Sequence, residues 1–315
     1  MTVAALPRSR LHLDFLLAND AAPDFVLFRD AALASAIAQA YPGKGRYLGR
    51  ETLPDFSPVR MLAARKTNRA YYRHVGEMLA DLDIDHFIIF LEGEPLERFI
   101  CDLPMIRSIE LWEEGLSHYV DLTSDRWYAA RGILQALCGF HSHAIMRRRM
   151  DRSRALVRDR FEQRNLRLPL PIATEFRSEF LLLGSPLVED RLITKRAFLS
   201  ALRQVACASP WPVRYLAHPR EDGARAREDA LGAGIAFDDN RSGLAIHAQR
   251  YGYRAYGAAV STGLLDLGQY DRSFFLAGLF GLKRMHAVLA AWPHNPLAVV
   301  GDSATLERHL RDIPV

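Results

Sequence analysis

Apolar and polar positions alternate along this chain with two periods. His86-Phe87-Ile88-Ile89-Phe90-Leu91 is a near-continuous apolar run, the pattern of a strand covered on both faces. Leu11-His12-Leu13-Asp14-Phe15-Leu16-Leu17 and Asp24-Phe25-Val26-Leu27-Phe28 also read as strands. Ala31 to Tyr41 reads as a helix stopped by Pro42-Gly43. Val59 to Asp83 keeps helical periodicity, with Arg and Tyr residues on its polar side. Pro104 to Leu111 reads as a short helix end running into a strand, and Arg126 to Phe140 as a helix. Gly43-Lys44-Gly45 lacks the spacing and the Ser/Thr of a phosphate loop and reads as a turn.

A second series follows Leu168-Pro169-Leu170-Pro171, which breaks the pattern as a linker would. Glu179 to Leu187, Val213 to Ala217, Ile235 to Phe237 and Tyr253 to Val260 read as strands. Lys195 to Cys207 and Gly243 to Tyr251 read as helices, and Ser261-Thr262-Gly263 opens another. Phe274 to Phe280 is apolar enough for core or interface. Alternating strands and helices predict parallel sheets covered by helices. The class is therefore α/β, with one domain over 1–170 and a second over 171–315.

Composition adds little to that picture. The 315 residues are 49% hydrophobic and 25% charged, ordinary for a globular chain. A net charge of +4 favours anionic partners. Cys101, Cys138 and Cys207 form no zinc or redox spacing and suit a reducing compartment. The start shows no signal-peptide pattern, and no apolar run approaches the roughly 18 residues of a membrane span. A cytoplasmic location is expected.

The charge itself is concentrated. Arg147 to Arg167 holds nine Arg against Asp151, Asp159 and Glu162. Met146, Met150, Val157 and Phe161 recur at helical spacing, which predicts a helix with one apolar stripe. Its basic face would suit packing on the domain, or peripheral contact with an anionic membrane surface or acidic acceptor. No nucleic-acid module or aromatic stacking pattern accompanies it, which sets nucleic acid aside.

Candidate chemistry falls at strand ends, where open α/β sheets bind ligands. Glu113-Glu114-Gly115 follows one strand, His218-Pro219 another, and Ser261-Thr262 a third. Taken singly, these are a solvated turn, a strand end and a helix cap. Together they offer a carboxylate to deprotonate a hydroxyl, a histidine for a leaving phosphate, and hydroxyls with backbone N–H groups at a helix start for phosphate oxygens. Successive residues of an extended chain point to opposite sides, so only one of Glu113 and Glu114 faces a cleft.

The set resembles the three short motifs of bacterial sialyltransferases: an acidic-acidic-Gly motif, an HP motif and a Ser-Ser/Thr motif. Glu113 to Tyr119, Leu183 to Asp190, Tyr215 to Glu221 and Val260 to Leu267 carry the likeness. It is nearest to glycosyltransferase family 52 and the capsular polysialyltransferases. It covers roughly residues 85 to 270. The family's N-terminal Thr-Pro-Leu-Gln-like turn is absent, and Leu6-Pro7-Arg8-Ser9 or Leu17-Ala18-Asn19-Asp20 would stand in for it.

The resemblance implies a GT-B fold, two Rossmann-like domains with parallel sheets facing across a cleft. It implies inverting, metal-independent transfer of sialic acid from CMP-sialic acid to a lipooligosaccharide or capsule precursor, at the inner face of the cytoplasmic membrane and without a cofactor. The N-terminal domain would carry the base, Glu113 first and Glu114 in reserve. His218 would serve the CMP phosphate. Gly115, Gly184, Ser185, Pro219, Ser261 and Thr262 would line the nucleotide site, with Asp238 near the ribose or base. The other readings are a UDP-hexose or CMP-Kdo donor, and a non-catalytic glycan- or membrane-binding protein on the same fold.

Overall fold

The computed structural model describes residues 1–53, 57–123, 125–141, 152–168, 172–239 and 243–314. The chain divides into two compact units. Unit 1 comprises Met1–Glu114 and Thr123–Pro169, and unit 2 comprises Gly115–Leu122 and Leu170–Val315.

Unit 1 runs β1 (Val3–Ala5), α1 (Arg10–Ala18), β2 (Phe25–Phe28), α2 (Ala34–Ala40), β3 (Gly45–Tyr47), α3 (Pro58–Asp81), β4 (His86–Ile89), α4 (Pro95–Cys101) and β5 (Ser108–Trp112). The chain then gives α5 (Leu116–Tyr119) to unit 2 before returning with α6 (Asp125–Leu137) and β6 (Leu156–Arg158). The strands form one parallel sheet in the order β3-β2-β1-β4-β5-β6. Strand periodicity of two sends alternate side chains to opposite faces. Leu27, Phe87, Ile89 and Leu111 pack with α3 and α4 through Tyr72, Val75, Leu79, Leu96 and Ile100. Ala5, Val26, Ile88 and Trp112 pack with α1 and α2 through Leu13, Phe15, Leu16 and Ile37.

Two expectations fail here for definable reasons. Leu11 to Leu17 is not a strand but most of α1, started by Ser9, whose hydroxyl accepts from His12 N–H. Its buried residues, His12, Leu13, Phe15 and Leu16, share one helical face. The first strand is the short β1 before it, and Leu6-Pro7-Arg8-Ser9 is the turn between them.

The second failure is the Arg-rich helix. Residues 142–151 lie outside the described residues, Met146 and Met150 among them. From Arg152 onward the chain makes one 3-10 turn and then β6, which pairs with β5. Asp159 follows the strand, fully buried, and accepts from the N–H groups of Phe161, Glu162 and Gln163. That local capping gives the backbone a turn in place of a helix. The basic side chains are also partly used internally. Arg158 lies over the Trp112 ring at 4.4 Å, and Arg160 is enclosed with Glu113.

Unit 2 runs β7 (Glu175–Leu183), α7 (Lys195–Ala208), β8 (Val213–Leu216), α8 (Gly223–Gly232), β9 (Ala236–Asp238), α9 (Leu244–Arg250), β10 (Tyr251–Ala258), α10 (Gly263–Asp266), β11 (Ser273–Phe275), α11 (Lys283–Ala290), β12 (Ala298–Val299) and α12 (Ser303–Arg311). Its sheet is also parallel, in the order β12-β11-β10-β7-β8-β9. Phe274 to Ala277 and Phe280 are buried in its core. Each unit is Rossmann-like, with helices connecting parallel strands that run outward from a central pair. Among the described residues no helix is long and apolar enough to cross a membrane.

Candidate functional site

In unit 2 the strand order reverses between β7 and β10, the position where doubly wound sheets hold ligands. A cavity of about 440 Å³ opens there. It is lined by Gly184 and Ser185 after β7, His218 and Pro219 after β8, and Ser261, Thr262 and Gly263 after β10. Register explains the convergence. Leu183 pairs with Leu216 on one side and Ala258 on the other, so the three strand ends emerge side by side. Ser185 Oγ donates to the Val260 carbonyl at 2.9 Å and ties two of them together.

His218 is held from both sides. Its backbone N–H donates to Glu221 Oε2 at 2.7 Å. Its Nδ1 accepts from the Arg220 N–H at 3.1 Å, so the neutral ring carries its proton on Nε2. Burial and the Arg220 charge hold its pKa below the usual histidine value, against an opposing pull from Asp190 and Glu189. At neutral pH His218 is therefore an uncharged hydrogen-bond donor.

Glu221 has a fully buried side chain. It also accepts from the Tyr215 hydroxyl at 2.7 Å and from Arg225 at 3.2 Å. Arg225 in turn reaches Glu189 and Asp229, each at 2.8 Å. One guanidinium thus serves three carboxylates. Burial pushes the Glu221 carboxyl up, while the His218 N–H, Tyr215 and Arg225 pull it down.

The motif Gly115–Leu122 joins this unit through several contacts. Leu116 N–H donates to Thr262 Oγ1 at 3.2 Å. The Tyr119 and Trp292 rings stack at 4.7 Å. Arg284 donates to the Leu122 and Asp121 carbonyls. Gly115 has φ +137°, and a Cβ on it would lie 2.8 Å from Thr262 Oγ1, so only glycine fits. Leu116, Ser117 and Leu122 add one wall of the cavity.

The hydroxyls of Ser261 and Thr262 each accept a backbone hydrogen bond within the unit. Ser261 Oγ accepts from Gly263 N–H at 3.1 Å, and Thr262 Oγ1 is engaged by Leu116. α10 is only four residues long, so a helix dipole, which sums over aligned peptides, contributes little.

In unit 1 the two carboxylates separate as the strand pattern requires. Glu113 is 0% exposed. Arg160 Nε donates to its two oxygens at 2.9 and 3.0 Å, Arg160 Nη2 adds a further contact, and the Arg160 backbone N–H donates at 3.1 Å. Glu114 is half-exposed. A general base must reach the hydroxyl it deprotonates, and Glu113 is enclosed with its counter-charge.

Of the sequence-derived residues, the cavity therefore gathers Gly184, Ser185, His218, Pro219, Ser261 and Thr262, with Gly115 packed on Thr262. Asp238 does not line it; its carboxylate lies 3.8 Å from His247 Nδ1. Asp266 and Glu221 were missed. Asp266 lines the cavity, and its place one turn after Thr262 was the available signal. Glu221 stands three residues after His218, but it binds a backbone group that no side-chain motif reveals.

No family model matches the sequence, and no curated protein matches it. The fold is similar to that of UDP-GlcNAc 2-epimerase from Methanocaldococcus jannaschii, with a TM-score of 0.55 and 10% identity over 99% of this chain and 92% of that one. Two likenesses to glycosyltransferases are weaker. A glycosyltransferase from Rickettsia africae gives a TM-score of 0.44 at 7% identity, over 99% and 93%. The glycosyltransferase VinC, in complex with dTDP, gives 0.44 at 11%, over 99% and 90%. Such scores carry no argument, and 10% identity speaks for fold alone. With two Rossmann-like units in one chain, the fold class is GT-B.

Proposed function

We propose that this protein is an inverting glycosyltransferase whose nucleotide-sugar donor binds in the unit 2 cavity, the donor being CMP-sialic acid and the acceptor a surface-glycan precursor. His218 carries this reading: a neutral imidazole with Nδ1 occupied and its proton on Nε2, at a topological switch point lined by Ser261 and Thr262. Such a donor suits a phosphate oxygen that gains charge as the glycosidic bond breaks. No divalent cation is required in this scheme, because protein donors offset the charge.

Glu114 takes the role of base. It directly precedes Gly115, which packs on Thr262. Its carboxylate accepts the acceptor hydroxyl proton as that oxygen attacks the anomeric carbon. The bond to CMP breaks in the same displacement, and its electron pair leaves with the phosphate. Inversion follows from the single displacement.

Calorimetric titration with CMP, UDP and dTDP tests the donor. CMP is expected to bind most tightly. UDP preference would replace the donor with a UDP-hexose, and failure of every nucleotide would leave a non-catalytic glycan-binding protein. Turnover of CMP-sialic acid at wild-type rate by Glu114→Gln and His218→Ala would end the assignment.

A further inference from the structure

Unit 1 has a cavity of its own at its switch point, between β1 and β4. About 430 Å³ is enclosed by residues that follow the carboxyl ends of its strands: Arg8 after β1, Arg29 after β2, Arg50 and Glu51 after β3, and Glu94 after β4. Arg8 lies in the Leu6-Pro7-Arg8-Ser9 turn; the other four belong to none of the motifs discussed above.

The arginines are held from beneath. Arg8 Nε and Nη2 donate to Glu97 at 2.5 and 2.6 Å, and Glu97 is 1% exposed. Arg29 pairs with Glu51, whose side chain is 2% exposed. The other Glu51 oxygen accepts the Tyr72 hydroxyl at 3.0 Å. Arg50 reaches Asp30 at 3.1 Å and the Arg29 carbonyl at 3.0 Å. Glu94 accepts from Arg131 Nη2 at 2.8 Å, and both line the cavity. The lining carboxylates are thus already committed to arginines.

The balance of hydrogen-bonding groups decides the ligand class. A guanidinium offers five N–H groups and no acceptor. Arg8 commits two to Glu97, Arg29 reaches Glu51 through Nη2, and Arg50 commits Nε and Nη2. Arg29 Nε and the Tyr71 hydroxyl are buried and have no acceptor among the described residues. Donors therefore exceed acceptors, which selects an oxygen-rich anion over a cation. Leu53, Leu91, Pro95 and Phe140 add apolar wall, suited to the C–H face of a sugar ring.

We propose that unit 1 binds an anionic sugar in this cavity, its carboxylate or phosphate held by Arg8, Arg29 and Arg50. Binding stands on these residues alone. Use of the cavity for the acceptor rests on the glycosyltransferase reading.

The test titrates the full-length protein with glucuronic acid, glucose 6-phosphate and neutral glucose by calorimetry. At least one anionic sugar is expected to bind about tenfold more tightly than glucose, and comparison of the two separates carboxylate from phosphate. Arg50→Glu, at a side chain 59% exposed, should weaken that binding about fivefold or more without loss of Tm. Arg29→Lys, which keeps the charge and loses the fork, should weaken it as well. His218→Ala should leave it unchanged. Absence of binding by both anionic sugars, glucose binding equally well, or wild-type affinity in both arginine variants would overturn the proposal. CMP titrated in the same series separates the two ideas: CMP binding without sugar binding defeats this site alone, and the reverse defeats the donor site alone.

Discussion

Gly184 lies directly against the hydrogen bond by which the His218 backbone is held to Glu221. A Cβ at position 184 would stand 2.6 Å from the His218 nitrogen and 2.9 Å from the Tyr215 hydroxyl, and would overlap the Glu221 carboxylate. The glycine is needed for close approach. Gly184→Ala is expected to cost about 1–3 kcal/mol of stability and to lower nucleotide affinity about tenfold. Thermal unfolding with nucleotide titration checks both. Unchanged affinity would show that this brace does not place His218.

Glu113 and Glu114 should separate by substitution. Glu113→Ala leaves Arg160 buried without its counter-charge and is expected to destabilise by about 3–5 kcal/mol. Glu114→Gln should leave the Tm nearly unchanged while turnover drops about 10²–10⁴-fold. Activity normalised to the folded fraction distinguishes a structural carboxylate from a reacting one.

His218 makes a pH prediction. Its folded pKa lies below the ordinary value of 6.5, by burial and the Arg220 charge. The ring therefore stays neutral through pH 7 to 9, and CMP affinity should be flat over that range. It should rise only at pH below this lowered pKa, when the ring gains charge. Titrations at several pH values read this directly. His218→Ala should abolish the rise.

His12 makes another, in unit 1. It stacks on Phe90 at 4.2 Å, and burial, then the Arg8 charge, pushes its pKa down to about 3. Below pH 6.5 the unfolded chain takes up a proton that the folded chain refuses. Stability is thus complete above pH 6.5 and is lost toward pH 3, at up to about 1.4 kcal/mol per pH unit. Denaturant unfolding across that range should show the slope, and His12→Leu should flatten it.

The fold was legible wherever periodicity and burial agree. β4 and the end of β7 are buried on both faces, and their apolar runs announce it. α3 buries Ala64, Asn68, Tyr72, Val75 and Leu79 at helical spacing. Leu11 to Leu17 misled because its apolar residues fit both periods, and Ser9 was the deciding signal. The Arg-rich stretch misled because Val157 and Phe161 suggest a stripe, whereas Asp159 between them caps a turn. In the site, side chains that line the cavity were readable from strand ends. The groups that hold them, Glu221 for His218 and Arg160 for Glu113, were not, because these partners meet only in three dimensions.

Arg225 joins Glu189, Glu221 and Asp229 into a single electrostatic unit. Loss of the guanidinium would remove the counter-charge of Glu189 and Glu221 and leave Asp229 to Lys195 at 3.5 Å, and loss of one carboxylate would shift the field on the other two. Selection should therefore keep or discard these four residues together. Among descendants of a common ancestor, their covariation would identify true relatives of this chain more reliably than the short strand-end motifs, each of which can arise by chance.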